Sequence, residues 1–243
     1  MDWHARYLQQ ARWTEQLRSY LFHKARIESA QRVLELGCGT GAVLADFTST
    51  TDIYGLDLNL SVLEQAALNV PKACLTCGDG TNLPFADSIF DIVFCHFVLL
   101  WVADPHEVVS EMARVTRPDG SILALAEPDY GGRIDYPEDL SVMGRWQIES
   151  LLKQGADPEM GRKLSGLFSH VGLKQIETGV IGGEWKRNLL AVDKDLENQV
   201  LMEDLPGQVS LQEIQKMISL DQLARENGER VLFVPTFYAW GIV

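Results

Sequence analysis

Between residues 32 and 127, five short β-rich runs alternate with helix-like stretches, and this alternation constrains the fold more than any other feature. The runs are RVLEL (32–36), DIYGLD (52–57), ACLTC (73–77), IFDIVFC (89–95) and SILALAE (121–127), with helical patterns near 41–47, 60–68 and 105–117. Strands separated by helical crossovers run parallel, so the pattern predicts βαβ units around a mostly parallel sheet. The chain has 243 residues, 46% of them hydrophobic, enough for one full α/β core of this kind.

The flanks differ from this core. Residues 1–30 place Trp3, Tyr7, Leu17 and Leu21 near helical spacing, with Trp13 and Tyr20 beside that face, and predict one long amphipathic helix. Residues 129–160 open on turn formers and hold Tyr130, Tyr136 and Trp146, which with Trp101 predict an aromatic lid hinged at Gly131-Gly132. Residues 161–243 read as the end of a helix near 159–171, a strand at about 173–182, two polar helices, and the run VLFVPTFYAWGIV (231–243). That run is expected to close the sheet as a hairpin-like pair on one edge. The expectation is therefore a single domain: N-terminal helix 1–30, core 31–128, insertion 129–160 and a sheet-completing remainder 161–243.

The first run continues into a loop, VLELGCGTG (33–41), with glycines at alternate positions. A phosphate-binding loop for nucleoside triphosphates ends in Gly-Lys-Ser/Thr, and Gly41 is followed by Ala-Val-Leu. The dinucleotide fingerprint fits better: Gly37, Gly39 and Ala42 satisfy G-x-G-x-x-G/A, with Asp57 twenty residues beyond Gly37. Three features favour another ligand. Glu35 puts a carboxylate where a pyrophosphate would be repelled and an ammonium welcomed. The alternating glycines do not aim a helix N-terminus squarely at a phosphate. Asp79 follows the third run and can accept an exocyclic amine, while Asp57 can accept ribose hydroxyls. An amine, a ribose and an adenine without phosphate describe S-adenosylmethionine.

VLELGCGTG, GLDLN, GDGTNLPFADSIFDIVFCHFVLLWV and EMARVTRPDGSILALAEPD, in this order, resemble the class I S-adenosylmethionine-dependent methyltransferases of small molecules, nearest the quinone-biosynthesis group. The resemblance covers roughly residues 31–128. It implies a Rossmann-like fold with a seven-stranded, mostly parallel sheet and a reversed terminal strand, plus the N-terminal helix and the lid. It also implies a cofactor site of Glu35, Gly37, Cys38, Gly39, Gly41, Asp57, Leu58, Asp79, Gly80 and Cys95, with S-adenosylhomocysteine as product. His96, at the end of the fourth strand, is the candidate to position the acceptor or take its proton. Trp13, Trp101, Glu127, Tyr130 and Trp146 are candidates for the acceptor pocket and its lid.

Charge and cysteine usage narrow the partners. The formal net charge is −13; residues 1–32 carry six Lys/Arg against three acids, leaving −16 on the remainder. A nucleic-acid binder needs a basic stripe, so a small-molecule acceptor is expected, without nucleic acid or membrane. Four cysteines form no disulfide framework, and Cys74-Leu-Thr-Cys77 lacks the further ligands of a zinc site. MDWHARYLQQ lacks a secretory apolar region, so a cytoplasmic setting and no metal are expected. Two other readings remain at this level: a nicotinamide-dependent oxidoreductase on a similar sheet, and a non-catalytic S-adenosylmethionine-binding domain.

Overall fold

Neighbouring residues of the central strands are buried on opposite faces of one sheet. The pairs Val33/Leu34, Ile92/Val93 and Ile122/Leu123 each divide between two apolar clusters, as the period-2 geometry of a strand covered on both sides requires. The computed structural model describes residues 2–47, 51–181, 191–205 and 209–243. In chain order its strands are β1 (Arg32–Leu36), β2 (Asp52–Asp57), β3 (Cys74–Cys77), β4 (Phe90–Cys95), β5 (Thr116–Pro128), β6 (Ile134–Tyr136), β7 (Lys174–Ile181), β8 (Val231–Phe233) and β9 (Thr236–Ile242). The helices are α1 (Trp3–Lys24), α2 (Leu60–Asn69), α3 (Pro105–Val115), α4 (Ser141–Lys153), α5 (Met160–Val171), α6 (Ala191–Asp204) and α7 (Leu211–Glu226).

Seven strands form the sheet in the order β3-β2-β1-β4-β5-β9-β7. The first five run parallel, and β9 is antiparallel to both β5 and β7. This is the mostly parallel sheet with one reversed strand. Its antiparallel member separates it from the 3-2-1-4-5-6 order of dinucleotide folds. The reversed strand lies inside the sheet, and β7 is the edge. Residues 231–243 therefore do not form a hairpin-like edge pair: Pro235 interrupts the run, β8 leaves to pair with β6, and only β9 joins the sheet. Proline cannot donate to a ladder, which explains the break.

Helices cover both faces. α3 begins at Asp104, whose side chain accepts from Glu107 N, has Pro105 in its first turn, and buries Val108, Val109, Met112 and Val115. α5 adds Leu164, Leu167 and Phe168 to the same face. α1 and α2 cover the other, through Leu21, Phe22 and Leu63. Each such side chain, fully buried, contributes about 1.5–3 kcal/mol. The helix expected near 41–47 is one 3-10 turn, Leu44–Asp46. Gly41 lies at φ +81° before it and Phe47 leaves it extended, so the segment does not continue as a regular helix.

Of residues 161–243, α5, β7 and β9 lie on the sheet, whereas α6, α7 and β8 do not. They pack with α4 and β6 into a cap with its own apolar cluster of Leu140, Met143, Leu201, Leu205, Ile214 and Ala224. α7 starts with a capping box in which Ser210 and Glu213 satisfy each other's backbone N–H groups.

Candidate functional site

A chamber of about 550 Å³ opens at the carboxyl ends of β1, β2, β3 and β4, where ligands of open α/β sheets bind. Four pieces of the core form its floor: Glu35 to Gly39 after β1, Asp57-Leu58 after β2, Gly78 to Gly80 after β3, and His96 to Val98 after β4. α1 closes it with Trp3, Arg6, Tyr7 and Gln10, and the cap with Tyr130, Leu151, Gln154 and Val200.

The loop after β1 needs glycine for steric reasons. Gly37 and Gly39 lie at φ +67° and +51°, and a Cβ on Gly37 would come within 2.5 Å of Val98 Cγ2. Gly37 N and Cys38 N both donate to Leu56 O, at 2.7 and 3.0 Å. Asp57 Oδ2 accepts from Gly39 N at 2.8 Å and its Oδ1 from Asn59 N at 2.9 Å. The acid after β2 thus holds the glycine loop as well as facing the chamber. Asp79 accepts from Thr81 N, which holds its carboxyl below the usual range, and Leu58 stands 74% exposed beside it.

Glu35 is the electrostatic anomaly. Its carboxyl is buried at the chamber, and Oε2 has no hydrogen-bond partner. Burial pushes its pKa well above the usual carboxylate value; Arg18 opposes this, and Asp46 and Asp57 reinforce it. An unpaired buried acceptor is costly, and a ligand ammonium would relieve it. The donor set thus fits S-adenosylmethionine: an orphaned acid for the amine, Asp57 for the ribose, and Leu58 with Asp79 for the adenine.

His96 lines the chamber, and its Nε2 lies 2.9 Å from Thr14 Oγ1 on α1. Burial, aided by Arg18, lowers its pKa to about 3, so it is neutral near pH 7. Arg18 itself is held by Thr14, Ala11 O and Asp46. Tyr7 lies against the glycine loop, with its Cε2 3.0 Å from where a Gly39 Cβ would stand, and burial raises its hydroxyl pKa.

Several expected site residues stand elsewhere. Cys95 is fully buried among core residues on the α3 side and does not line the chamber, because the strand alternation sends His96 there instead. Gly41, at φ +81°, faces α2, where a Cβ would meet Val70 Cγ2 at 2.4 Å. Trp146 packs in the cap core, and Trp13 lies outside the chamber beneath Arg6, 5.0 Å from its ring centre. Glu127 is wholly buried behind the wall. Its carboxylate accepts from Val98 N, Leu99 N and Leu100 N at 2.9, 2.8 and 3.1 Å, and so carries the turn that presents Phe97, Val98 and Trp101. Burial outweighs those donors and pushes it up to about 7. Phe97 sits at φ +56°, a strained position for an aromatic residue that this support sustains. Asp129 pairs with Arg162 through two bonds of 2.6 and 2.7 Å.

Trp101 and Tyr130 do line the chamber. Sequence reading did not find Trp3, Arg6, Gln10, Leu151, Gln154 or Val200. Apart from the helical spacing of Trp3 and Tyr7, these residues share no local motif. Among the described residues no group of three or more His, Cys, Asp and Glu is placed to hold a metal ion. Nor is any described helix long and apolar enough to cross a membrane.

Comparison with known proteins gives the following. Residues 34–124 match the Methyltransf_11 family, described as a methyltransferase domain. A demethylmenaquinone methyltransferase of Renibacterium salmoninarum is 36% identical over 104 residues, which are 42% of this chain and 44% of that protein. The chain thus spans about half the length, or less, of the curated relatives it matches. Among solved structures, a putative methyltransferase from an antibiotic biosynthesis pathway of Anabaena variabilis aligns over 88% of this chain and 91% of that one. Its TM-score is 0.63 at 15% identity. The phosphoethanolamine N-methyltransferase 2 of Haemonchus contortus, solved with phosphomonomethylethanolamine and S-adenosylhomocysteine, aligns with TM-score 0.58 at 17% identity. That alignment covers 87% of this chain and 48% of that one.

Proposed function

We propose that this chain, whose fold is that of the class I S-adenosylmethionine-dependent methyltransferases and whose residues 34–124 match their methyltransferase domain, transfers a methyl group to a small organic acceptor. The observation that carries the reading is the orphaned Oε2 of Glu35, a buried acceptor on a residue that lines a chamber together with Asp57 and Asp79. S-adenosylmethionine, when bound, supplies a methyl group already activated on a sulfonium. The protein's part is then to bind, orient and keep water out. Alignment of this kind is worth roughly 7–11 kcal/mol of a barrier.

In this reading Glu35 pairs with the ammonium, Asp57 with the ribose hydroxyls and Asp79 with the adenine amine, while Leu58 packs on the purine. Tyr7 and the rest of α1 cover the cofactor. Phe97, Trp101, Leu151 and Val200 supply an apolar surface for the acceptor. His96 is too weak a base to hold a proton near neutrality, so its part is to orient the acceptor through a neutral imidazole. His96→Ala should slow turnover by less than about 100-fold, the low end of general-base effects, with cofactor affinity unchanged. Steady-state rates and calorimetry read the two separately; an unchanged rate removes His96 from the mechanism. The acidic composition favours a small acceptor over nucleic acid, and the cysteine usage favours a cytoplasmic setting.

Calorimetric titration with S-adenosylmethionine, S-adenosylhomocysteine and NADH tests the cofactor. Binding of the first two but not the third supports the reading, and binding of NADH alone overturns it. Formation of S-adenosylhomocysteine on mixing with acceptor libraries then distinguishes an enzyme from a domain that only binds.

A further inference from the structure

The place of one proton decides what His96 can offer an acceptor. Thr14 stands on α1 between His96 and Arg18, and both Thr14 and Arg18 are buried. A threonine hydroxyl has one proton to give and two lone pairs. Arg18 Nη1 donates to Thr14 Oγ1 at 2.7 Å, which fills one of them. The proton has two acceptors within reach, Ala11 O at 3.2 Å and His96 Nε2 at 2.9 Å. Ala11 O is already taken. α1 is unbroken from Trp3 to Lys24, so that carbonyl accepts the Glu15 backbone N–H, and Arg18 Nη1 fills its second lone pair. A third donor would find no lone pair there, whereas Nε2 has no other partner among the described residues. The hydroxyl proton therefore goes to Nε2, over the shorter distance.

Electrostatics agree with this assignment. The Arg18 guanidinium bonds to the same hydroxyl as Nε2, and a positive charge there favours a lone pair on Nε2 over an N–H. Donation from a charged group also polarises the hydroxyl and strengthens its bond to the ring. Asp46 Oδ2 accepts from Arg18 Nη2 and holds the guanidinium in place. Phe97 packs edge-on against the imidazole, with 4.7 Å between ring centres, and restrains it. With Nε2 accepting, the proton of the neutral ring sits on Nδ1, which has no partner among the described residues. We propose that Arg18 and Thr14 are positioning residues that fix His96 as an Nδ1–H donor to the acceptor, which meets it with an oxygen that carries no proton. That oxygen belongs to a carbonyl or to an ionised hydroxyl. An O–H group would find no lone pair on His96, since Nε2 is occupied and Nδ1 is protonated. This inference rests on the methyl-transfer reading above and narrows the acceptor class for the same site.

The tautomer can be read directly. Full-length protein with isotope-labelled histidine, saturated with S-adenosylhomocysteine, shows it in a long-range proton–nitrogen correlation spectrum, where the His96 signals are those absent from His96→Asn. Nδ1–H is the expected main form. Thr14→Val should shift the population toward Nε2–H, and Thr14→Ser should restore it. Nε2–H as the main form in the wild type, or a tautomer untouched by Thr14→Val, overturns the proposal. Calorimetric titration of the same complex tests the acceptor class, with acetophenone against ethylbenzene and pentafluorophenol, ionised near neutrality, against pentafluorobenzene. One hydrogen bond predicts about 5-fold tighter binding than the oxygen-free partner if the site takes a carbonyl, and about 10-fold or more if it takes the ionised hydroxyl. His96→Asn keeps an amide N–H at the place of Nδ1 and should retain the preference; His96→Gln puts its amide at the place of Nε2 and should lose it. No binding by either oxygen compound, no preference over the partners, or an equal preference in the two variants overturns the proposal. If S-adenosylhomocysteine itself does not bind, the methyl-transfer reading fails first, and the tautomer is still read in the free protein.

Discussion

Two glutamates, both buried and both shifted upward, have different positions and different consequences. Glu35 lines the chamber and keeps a buried, unpaired oxygen, so a cationic partner lowers its raised pKa. Binding of S-adenosylmethionine should therefore release more protons as the pH is lowered from the alkaline side, visible as a growing dependence of calorimetric enthalpy on buffer ionisation. Glu35→Gln should abolish that dependence and weaken binding by about 10–100-fold, the value of a charge-assisted bond. Glu127 meets only backbone donors. Its folded pKa of about 7 lies above the ordinary 4.5, so folding favours the protonated form. Its contribution is complete below pH 4.5 and is lost as pH rises through 7, about 3 kcal/mol across that window. Urea midpoints between pH 4.5 and 8 should show this slope, and Glu127→Gln should flatten it. That variant sets an amide N–H against Leu100 N–H, at about 1–3 kcal/mol. It is therefore expected to be the less stable protein at pH 5, with the gap narrowing as pH rises.

Among the elements, α1 is bound to the site along much of its length. His4 meets Thr40, Tyr7 covers Gly39, Thr14 meets His96, and Arg18 meets Asp46. Its far end is tied to β7 by Lys24 and Glu177. The helix is a wall of the chamber, and Tyr7 is the side chain that covers the glycine loop. Tyr7→Ala should lower cofactor affinity about 10-fold through lost aromatic burial, while the fold persists because α1 keeps Leu21 and Phe22 in the core. Equal affinity in wild type and variant would show that Tyr7 does not cover the ligand. The helical spacing of Trp3, Tyr7, Leu17 and Leu21 made this element legible in the sequence. Its contacts were not, since none of His4, Thr14 or Arg18 stands in a motif. The same holds for the cap: the insertion could be seen, but its partners α6 and α7 come some 40–70 residues later.

At the scale of the whole molecule, the chain buries two kinds of core, one on the faces of the sheet and a smaller one within the cap. Leu205 is fully buried in the latter. Leu205→Ala should cost about 2–5 kcal/mol. Amide exchange should then rise in α4, α6 and α7 and leave β1, β4 and β5 unchanged; a uniform rise would mean that cap and sheet unfold as one unit.

The alternating strands, the glycine loop and the acids Glu35, Asp57 and Asp79 were all readable from residues 31–128. They are set by local periodicity and by short-range steric demands on the backbone. Which residues face the chamber was decided by tertiary structure. Strand alternation turned His96 in and Cys95 away, a 29-residue separation placed Glu127 beneath Val98, and cap packing buried Trp146. Arg133, in the insertion, and Arg230, in the C-terminal segment, meet at Asp135. Charge pairs at such separations leave no periodic trace in a sequence, because only packing brings them within reach of one another.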